Sequence, residues 1–199
     1  MRKPSIALAV LLATAGSTRA EETKPPSAFT VISPIFSELV MFQLPSIFTT
    51  VFEQPSATNY IREAVPKGET VEKWTEMITV TGAKGLARTP QASAQGFAAN
   101  IAAGFKRACP DTFAAKPVGP LAISGHDGFV AVASCGKVGG SNAAHSETAL
   151  IVAIKGAEDI YTIQWAERRP ASAENLTIDQ ALWKERLSKL SPVRGKNFP

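Results

Sequence analysis

The sequence has few of the features that would fix a reaction. After its first fifteen residues, no apolar run is long enough to cross a membrane. There are only two histidines and two cysteines, whereas a zinc site needs three or four ligands that converge in space. The Gly-x-Ser-x-Gly elbow of hydrolases and the spacing of a phosphate-binding P-loop are both missing. The sequence therefore has none of these common signatures of catalysis, and this favours a binding role.

The first twenty residues have the layout of a secretory signal peptide. A positively charged start is followed by a ten-residue apolar stretch, residues 6–15, and by a short segment that ends in small residues. This stretch is shorter than the roughly 18 to 20 residues that span a bilayer. We therefore expect residues 1–20 to be cleaved, and the mature protein to begin at Glu21 and to be periplasmic or secreted.

Cleavage would change the charge balance. The chain has a formal net charge of +4, but residues 1–20 hold three basic residues and no acidic one. The remaining 18 basic and 17 acidic residues nearly cancel, whereas a nucleic-acid-binding domain usually has a basic face. A local basic excess near the C-terminus is expected to be a solvated helix face: Lys184, Arg186, Lys189, Arg194 and Lys196. We expect no nucleic-acid partner and no membrane span.

Cys109 and Cys135 are an even pair in a chain that is expected to reach an oxidising compartment. Such pairs are usually disulfides. A redox-active pair typically has the tighter Cys-x-x-Cys spacing, which this sequence lacks. We therefore predict a structural disulfide between Cys109 and Cys135.

Two parts of the mature chain differ in composition. Residues 21–34 begin with polar residues and contain Pro25, Pro26 and Pro34, so we expect an N-terminal tether. Residues 35–199 are long enough to form a single domain with its own core.

Strand patterns and turn signals alternate through most of this domain. Period-2 alternation, or enrichment in β-branched and aromatic residues, predicts strands at residues 48–53, 58–65, 74–81, 118–124, 129–135, 148–154 and 160–167. The strands that contain Ile151 and Ile163 are the most apolar and are expected at the centre of the sheet. The strand aromatics are expected to lie in the core: Tyr60, Trp74, Tyr161 and Trp165.

Two segments have helical patterns. Thr89 and Pro90 suit a helix start, and an apolar stripe follows: Phe97, Ile101, Phe105 and Ala108. The second helix is predicted from the capping box Thr177 and Gln180, with its own apolar stripe: Trp183, Leu187 and Leu190. The short connections between strands predict an α+β fold, an antiparallel sheet with two main helices packed on it.

The segment Tyr60–Thr81, with Pro66-Lys67-Gly68-Glu69, Trp74 and Met77-Ile78-Thr79, resembles small exported bacterial proteins of unassigned role. The order of elements over about residues 36–192, with a tryptophan in the last helix, is similar to the PsbP-like fold. That fold includes extrinsic subunits of photosystem II, a nuclear Ran-binding relative and bacterial secretion-associated proteins. The resemblance implies an accessory or binding role, and it implies no particular functional residue.

Both histidines lie in turns between predicted strands. The turn at residues 125–128 contains His126 and Asp127, and the loop at residues 136–145 ends in His145, with Glu147 two residues later. These four side chains would form one site only if the two loops met; otherwise the histidines are ordinary surface residues. Because loops held by a rigid sheet often carry function, we predict that ligand or partner binding involves these loops and not the sheet faces.

The sequence thus predicts an exported binding or accessory protein that recognises an envelope protein or a small ligand without a cofactor. The alternative is a hydrolase or a metal-dependent enzyme that uses the loops of His126 and His145. Ser124 is too close to His126 along a tight turn to form a catalytic triad with it, so no catalytic residue is predicted.

Overall fold

The computed structural model describes residues 27–138 and 144–190. In chain order, its strands and helices are β1 Ala28–Ile35, β2 Glu38–Pro45, β3 Phe48–Pro55, β4 Asn59–Pro66, β5 Glu76–Ala83, α1 Ala94–Ala108, β6 Phe113–Ile123, β7 His126–Val138, β8 His145–Lys155, β9 Ile160–Pro170 and α2 Gln180–Leu190. The predicted signal peptide, residues 1–20, lies outside the described residues. Within these residues, no helix is both long and apolar enough to span a membrane.

Seven of the strands form one antiparallel sheet in the order β3-β4-β5-β9-β8-β7-β6, and β1 and β2 form a separate hairpin. The predicted α+β class with an antiparallel sheet is confirmed. The apolar strands around Ile151 and Ile163 are β8 and β9, which lie inside the sheet as predicted. Tyr60, Trp74, Tyr161 and Trp165 are all buried.

Alanines dominate the contact between α1 and one face of the sheet. Ala94, Ala98 and Ala102 of the helix share a buried cluster with alanines of β7 and β8. Small side chains on both surfaces let the helix backbone approach the strands closely. The predicted stripe of larger residues is therefore displaced to the flank: Phe97, Ile101 and Phe105 are only partly buried, and Ala108 is exposed.

The opposite face of the sheet carries the larger apolar cluster. It combines sheet residues with Ile35, Val40 and Phe42 of the β1–β2 hairpin and with Trp183 and Leu190 of α2. Gly82 in β5 makes the close approach of the hairpin possible, because a Cβ atom there would lie 2.7 Å from Ile35 Cγ2.

The tether prediction was wrong for residues 28–34, which belong to β1. Their alternation is partly hidden in the sequence by Pro34, but proline is tolerated in a strand at the edge of a sheet. The Ser33 hydroxyl accepts a hydrogen bond from Arg62 Nη1 at 2.7 Å, which fixes β1 to the main sheet.

Both helices begin at a residue other than the predicted one. Ser93, not Thr89, caps α1, and its Oγ accepts from Gly96 N at 3.0 Å. A short 3-10 helix at Leu86–Arg88 occupies the chain just before Thr89. At α2 the cap is Asp179, whose Oδ1 accepts from Ala181 N at 2.9 Å.

The predicted turn at residues 125–128 is shorter than expected. Ser124 and Gly125 have φ angles of 53° and 84°, the two positive values that a tight two-residue hairpin turn requires. His126 and Asp127 therefore lie in β7, not in a loop. The predicted loop that starts at residue 136 also begins later, because β7 continues to Val138; residues 139–143 lie outside the described residues.

The predicted disulfide between Cys109 and Cys135 is present and joins the end of α1 to β7. Replacing both cysteines by alanine is expected to lower the free energy of unfolding by roughly 3.5 kcal/mol, because the bridge mainly restricts the unfolded chain. Urea denaturation of the two proteins, followed by circular dichroism, measures this difference. Equal midpoints for the oxidised wild type and the variant would contradict the prediction.

Candidate functional site

A cavity of about 280 Å³ lies on the α1 side of the sheet, beside the C-terminal half of the helix. Met77, Ala166 and Ala149 are neighbours across β5, β9 and β8 and line its floor. Phe105 of α1 lies on one side, and Val71 and Trp74 come from the loop between β4 and β5. The cavity forms because the adjacent floor residues Ala149 and Ala166 have only a methyl side chain, whereas the surrounding side chains are larger.

A row of polar side chains crosses the sheet next to this apolar floor. Glu63, Thr79 and Gln164 are successive cross-strand neighbours on β4, β5 and β9, and all three line the cavity. Gln164 Nε2 donates to Thr162 Oγ1 at 3.3 Å. Alternation along each strand places the row on the same face as the floor.

The carboxylate of Glu63 is half-buried and has no hydrogen-bond or ion-pair partner within residues 27–138 and 144–190. Burial raises the pKa of Glu63 above its usual value, since removing water disfavours the charged form. The row therefore places an unpaired acidic group at the edge of the cavity.

The other end of the cavity holds an ordered pair of opposite charges. The guanidinium of Arg168 lies 3.7 Å from the centre of the Trp74 ring, and its Nε donates to Glu147 Oε2 at 3.2 Å. His145 Nε2 lies 3.7 Å from the same carboxylate oxygen. Stacking on Trp74 and bonding to Glu147 together fix the position of Arg168.

The structure does not bring the four predicted site residues together. Asp127 is paired with Lys155, and Cys135 with Glu147, at opposite ends of the β7–β8 hairpin. Cys135 is eight positions beyond Asp127 on β7, which corresponds to about 26 Å along a strand. The metal site that would have needed both loops is therefore not formed. Among the described residues, no group of three or more His, Cys, Asp or Glu is arranged to hold a metal ion.

Asp127 lines a second, more open cleft, whereas its neighbour His126 does not. His126 Nε2 is 3.6 Å from Glu38 Oε2, and Asp127 lines a cleft of about 510 Å³ at the start of α1. In this cleft Lys155 lies directly opposite Asp127, and its Nζ donates to the carbonyl of Ala92 at 2.9 Å. Its charges thus balance within the protein, and we regard the smaller cavity as the better candidate.

Sequence reasoning identified Glu147 in the candidate site but missed most of the other residues. Glu63 occupies a position of β4 between Ile61 and Val65 on the same strand face, and Gln164 interrupts the apolar run of β9. Glu63 and Gln164 could have been identified in the sequence as a charged and an amide residue at positions of a strand that otherwise carry apolar side chains. Trp74 was predicted to lie in the core; it is buried and also lines the cavity.

The chain matches no protein-family model, and a comparison with curated proteins found none that is significantly similar to it.

Proposed function

We propose that the protein is an exported binding protein that holds a small organic ligand in the cavity between α1 and residues 67–75. The observation that carries this proposal is a cavity whose lining combines apolar and aromatic side chains with a row of polar groups along one edge and a charged pair at the other end. Small-molecule sites typically have this composition. A volume of about 280 Å³ is close to the lower limit of roughly 300 Å³ for such sites, which favours a ligand of about one ring in size.

Export is supported by the signal-like segment at residues 1–20 and by the Cys109–Cys135 disulfide, since disulfides persist in oxidising compartments. The resemblance to the PsbP-like layout supports an accessory role. Binding is favoured over catalysis because the residues that line the cavity include no serine, cysteine, histidine or lysine. Of the two carboxylates in the lining, Glu147 is bonded to Arg168 at 3.2 Å, so Glu63 alone is left for acid–base chemistry, with no nucleophile of these types beside it. The enzyme alternative loses support because the His126 and His145 segments lie far apart.

Filling the cavity is expected to weaken binding. Ala166 is partly exposed to the cavity, so Ala166→Leu would place its extra carbons in the space that the ligand needs. We expect one-ring fragments to bind the wild type and to lose roughly fivefold to a hundredfold in affinity in the variant, as overpacking of about 1–3 kcal/mol implies. Ligand-observed NMR with 2-phenylethanol, 2-phenylethylamine and phenylacetate measures these affinities.

The matched control is Ala115→Leu, which makes the same change at an exposed position of β6 and should leave binding unchanged. The proposal fails if none of the three fragments binds the wild type. It also fails if Ala166→Leu, shown by its unfolding curve to be folded, binds all three as well as the wild type does.

A further inference from the structure

The charged groups that line the cavity do not balance. Glu63 and Glu147 are acidic, and Arg168 is the basic residue of the lining. Arg168 is bonded to Glu147 at 3.2 Å, and His145 lies 3.7 Å from that same carboxylate. Within residues 27–138 and 144–190, the charge that is left without a protein partner is therefore the carboxylate of Glu63.

The nearby cations are directed elsewhere. Arg62, the neighbour of Glu63 in the chain, faces the other side of the sheet and bonds to Glu53 at 3.0 Å and to Ser33 at 2.7 Å. Lys67 and Lys73 of the adjoining loop are exposed, and neither lines the cavity. The Glu63 carboxylate loses part of its hydration on folding, and no described protein cation compensates for that loss. An unpaired carboxylate in a ligand-sized cavity is explained if the ligand supplies the opposite charge.

We infer that the ligand of this cavity carries a protonated amine, which binds at Glu63, and an apolar body, which lies over Met77 and Ala166. This inference rests on the proposed function. An alkylammonium group has three N–H donors, and the row of Glu63, Thr79 and Gln164 offers a carboxylate, a hydroxyl and an amide oxygen as acceptors along one edge. The apolar floor beside the row provides the contact for the remainder of the molecule.

The position of Arg168 does not favour an anionic ligand. Its charge is already shared with Glu147, and the two glutamates leave the lining with an excess of negative charge. A ligand carboxylate near Arg168 would add a further negative charge to this lining and would be repelled by Glu63. We therefore expect affinity to decrease from a cation to a neutral molecule and further to an anion of the same size.

Three fragments of similar size test this order. Isothermal titration calorimetry or ligand-observed NMR near pH 8, where an alkylamine is still protonated, gives the affinities of 2-phenylethylamine, 2-phenylethanol and phenylacetate. We expect the amine to bind about tenfold more tightly than the alcohol, which corresponds to one charge-assisted contact. Glu63→Gln should remove this preference and leave the affinity for the alcohol unchanged. Glu72→Gln removes the same charge from an exposed position of the adjoining loop and should preserve the preference.

Misfolding does not account for a loss of amine binding in Glu63→Gln, because this variant should be at least as stable as the wild type. A carboxyl whose pKa is raised on folding destabilises the folded protein at neutral pH, and the neutral amide relieves that effect. If the alcohol or phenylacetate binds as well as the amine and Ala166→Leu still blocks binding, the cavity binds ligands but the amine inference is wrong. An amine preference that survives Glu63→Gln would also overturn it. If no fragment binds the wild type, the proposed function and this inference fail together.

Discussion

Replacing Asp159 by alanine is expected to lower the free energy of unfolding by about 4–6 kcal/mol, the largest effect that we predict for a single residue. Asp159 is 1% exposed. Its Oδ2 accepts from Ser37 Oγ at 2.6 Å, from Ser37 N at 3.3 Å and from the Tyr161 hydroxyl at 3.0 Å, and its Oδ1 accepts from Gly85 N at 2.6 Å. The variant leaves the Ser37 and Gly85 donors without this acceptor where little water can replace it, while the Tyr161 hydroxyl keeps the carbonyl of Ile35 as an acceptor at 3.2 Å.

The contacts of Asp159 explain why its loss should affect the whole fold. Ser37 is in the turn between β1 and β2, Gly85 follows β5, and Tyr161 lies in β9. One carboxylate thus joins the hairpin to the centre of the main sheet. Urea denaturation of the variant measures the loss, and Glu158→Ala is the matched control. Glu158 is exposed, and its contact with Arg88 is 3.7 Å long, so the control should change stability by less than about 0.5 kcal/mol. Similar losses in the two variants would contradict the role assigned to Asp159.

The same carboxylate should make stability depend on pH in the acid range. Burial alone would raise the pKa of Asp159, but the hydrogen bonds from Ser37, Gly85 and Tyr161 outweigh burial and lower the pKa below its usual value of 3.8. A carboxyl with a lowered folded pKa stabilises the protein above its unfolded pKa, and this stabilisation is lost as the pH falls through the folded pKa. The difference in stability between the wild type and Asp159→Ala should therefore be constant near neutral pH and decrease below about pH 4.

The sequence was most informative where the chain repeats a simple pattern. Strands such as β8 and β9 were predictable because long runs of β-branched and apolar residues have few other stable arrangements in water. The helix caps were not, because Thr89 and Ser93 before α1, and Thr177 and Asp179 before α2, are all acceptable caps by residue type. The choice among them depends on where the helix meets the sheet. There, the alanines of α1 and of β7 and β8 fix the contact.

The candidate site was harder to predict than the fold, for a reason visible in Glu63. An inward carboxylate on an alternating strand indicates that something unusual is present, but its partners lie on strands that are distant in the sequence. Thr79 is 16 residues away and Gln164 is 101 residues away. Only the strand order β4-β5-β9 brings the three together. Binding was predicted at the segments of His126 and His145 because each combines a histidine with a nearby carboxylate in a few residues. The antiparallel pairing of β7 and β8 places these two segments at opposite ends of the hairpin.

Arg186, which lies outside the candidate site, is a second residue whose partners are distant in the sequence and could not be predicted from it. It was assigned to a solvated basic face together with Lys189, and for Arg186 this prediction was wrong. Arg186 is 5% exposed, and its Nη2 lies 2.7 Å from Glu167 Oε2 and 3.1 Å from Glu76 Oε1. Its guanidinium also lies 4.4 Å from the centre of the Trp183 ring. Arg194 and Lys196, from the same predicted face, lie outside the described residues.

Arg186→Ala is therefore expected to lower the free energy of unfolding by about 3–5 kcal/mol, because it leaves Glu76 and Glu167 without their shared cation inside the contact between α2 and the sheet. Lys189→Ala is the control within the same helix. Lys189 pairs with Glu185 at 2.7 Å, but its side chain is 56% exposed, so the exposed pair should contribute less than about 1 kcal/mol. Urea denaturation of the two variants compares a buried and an exposed cation that the sequence alone does not distinguish.

A triple variant separates the charge from the packing of Arg186. Arg186→Met with Glu76→Gln and Glu167→Gln keeps an unbranched side chain against Trp183 and removes the two carboxylates with which Arg186 pairs. If uncompensated charge is the main cost of Arg186→Ala, the triple variant should recover most of the lost stability, because a buried ion pair and a neutral replacement of similar volume are often close in free energy. If Arg186→Ala is no less stable than Lys189→Ala, Arg186 does not hold α2 against the sheet. If the triple variant is as unstable as Arg186→Ala, the aromatic contacts of the guanidinium, and not its ion pairs, are the main source of its contribution.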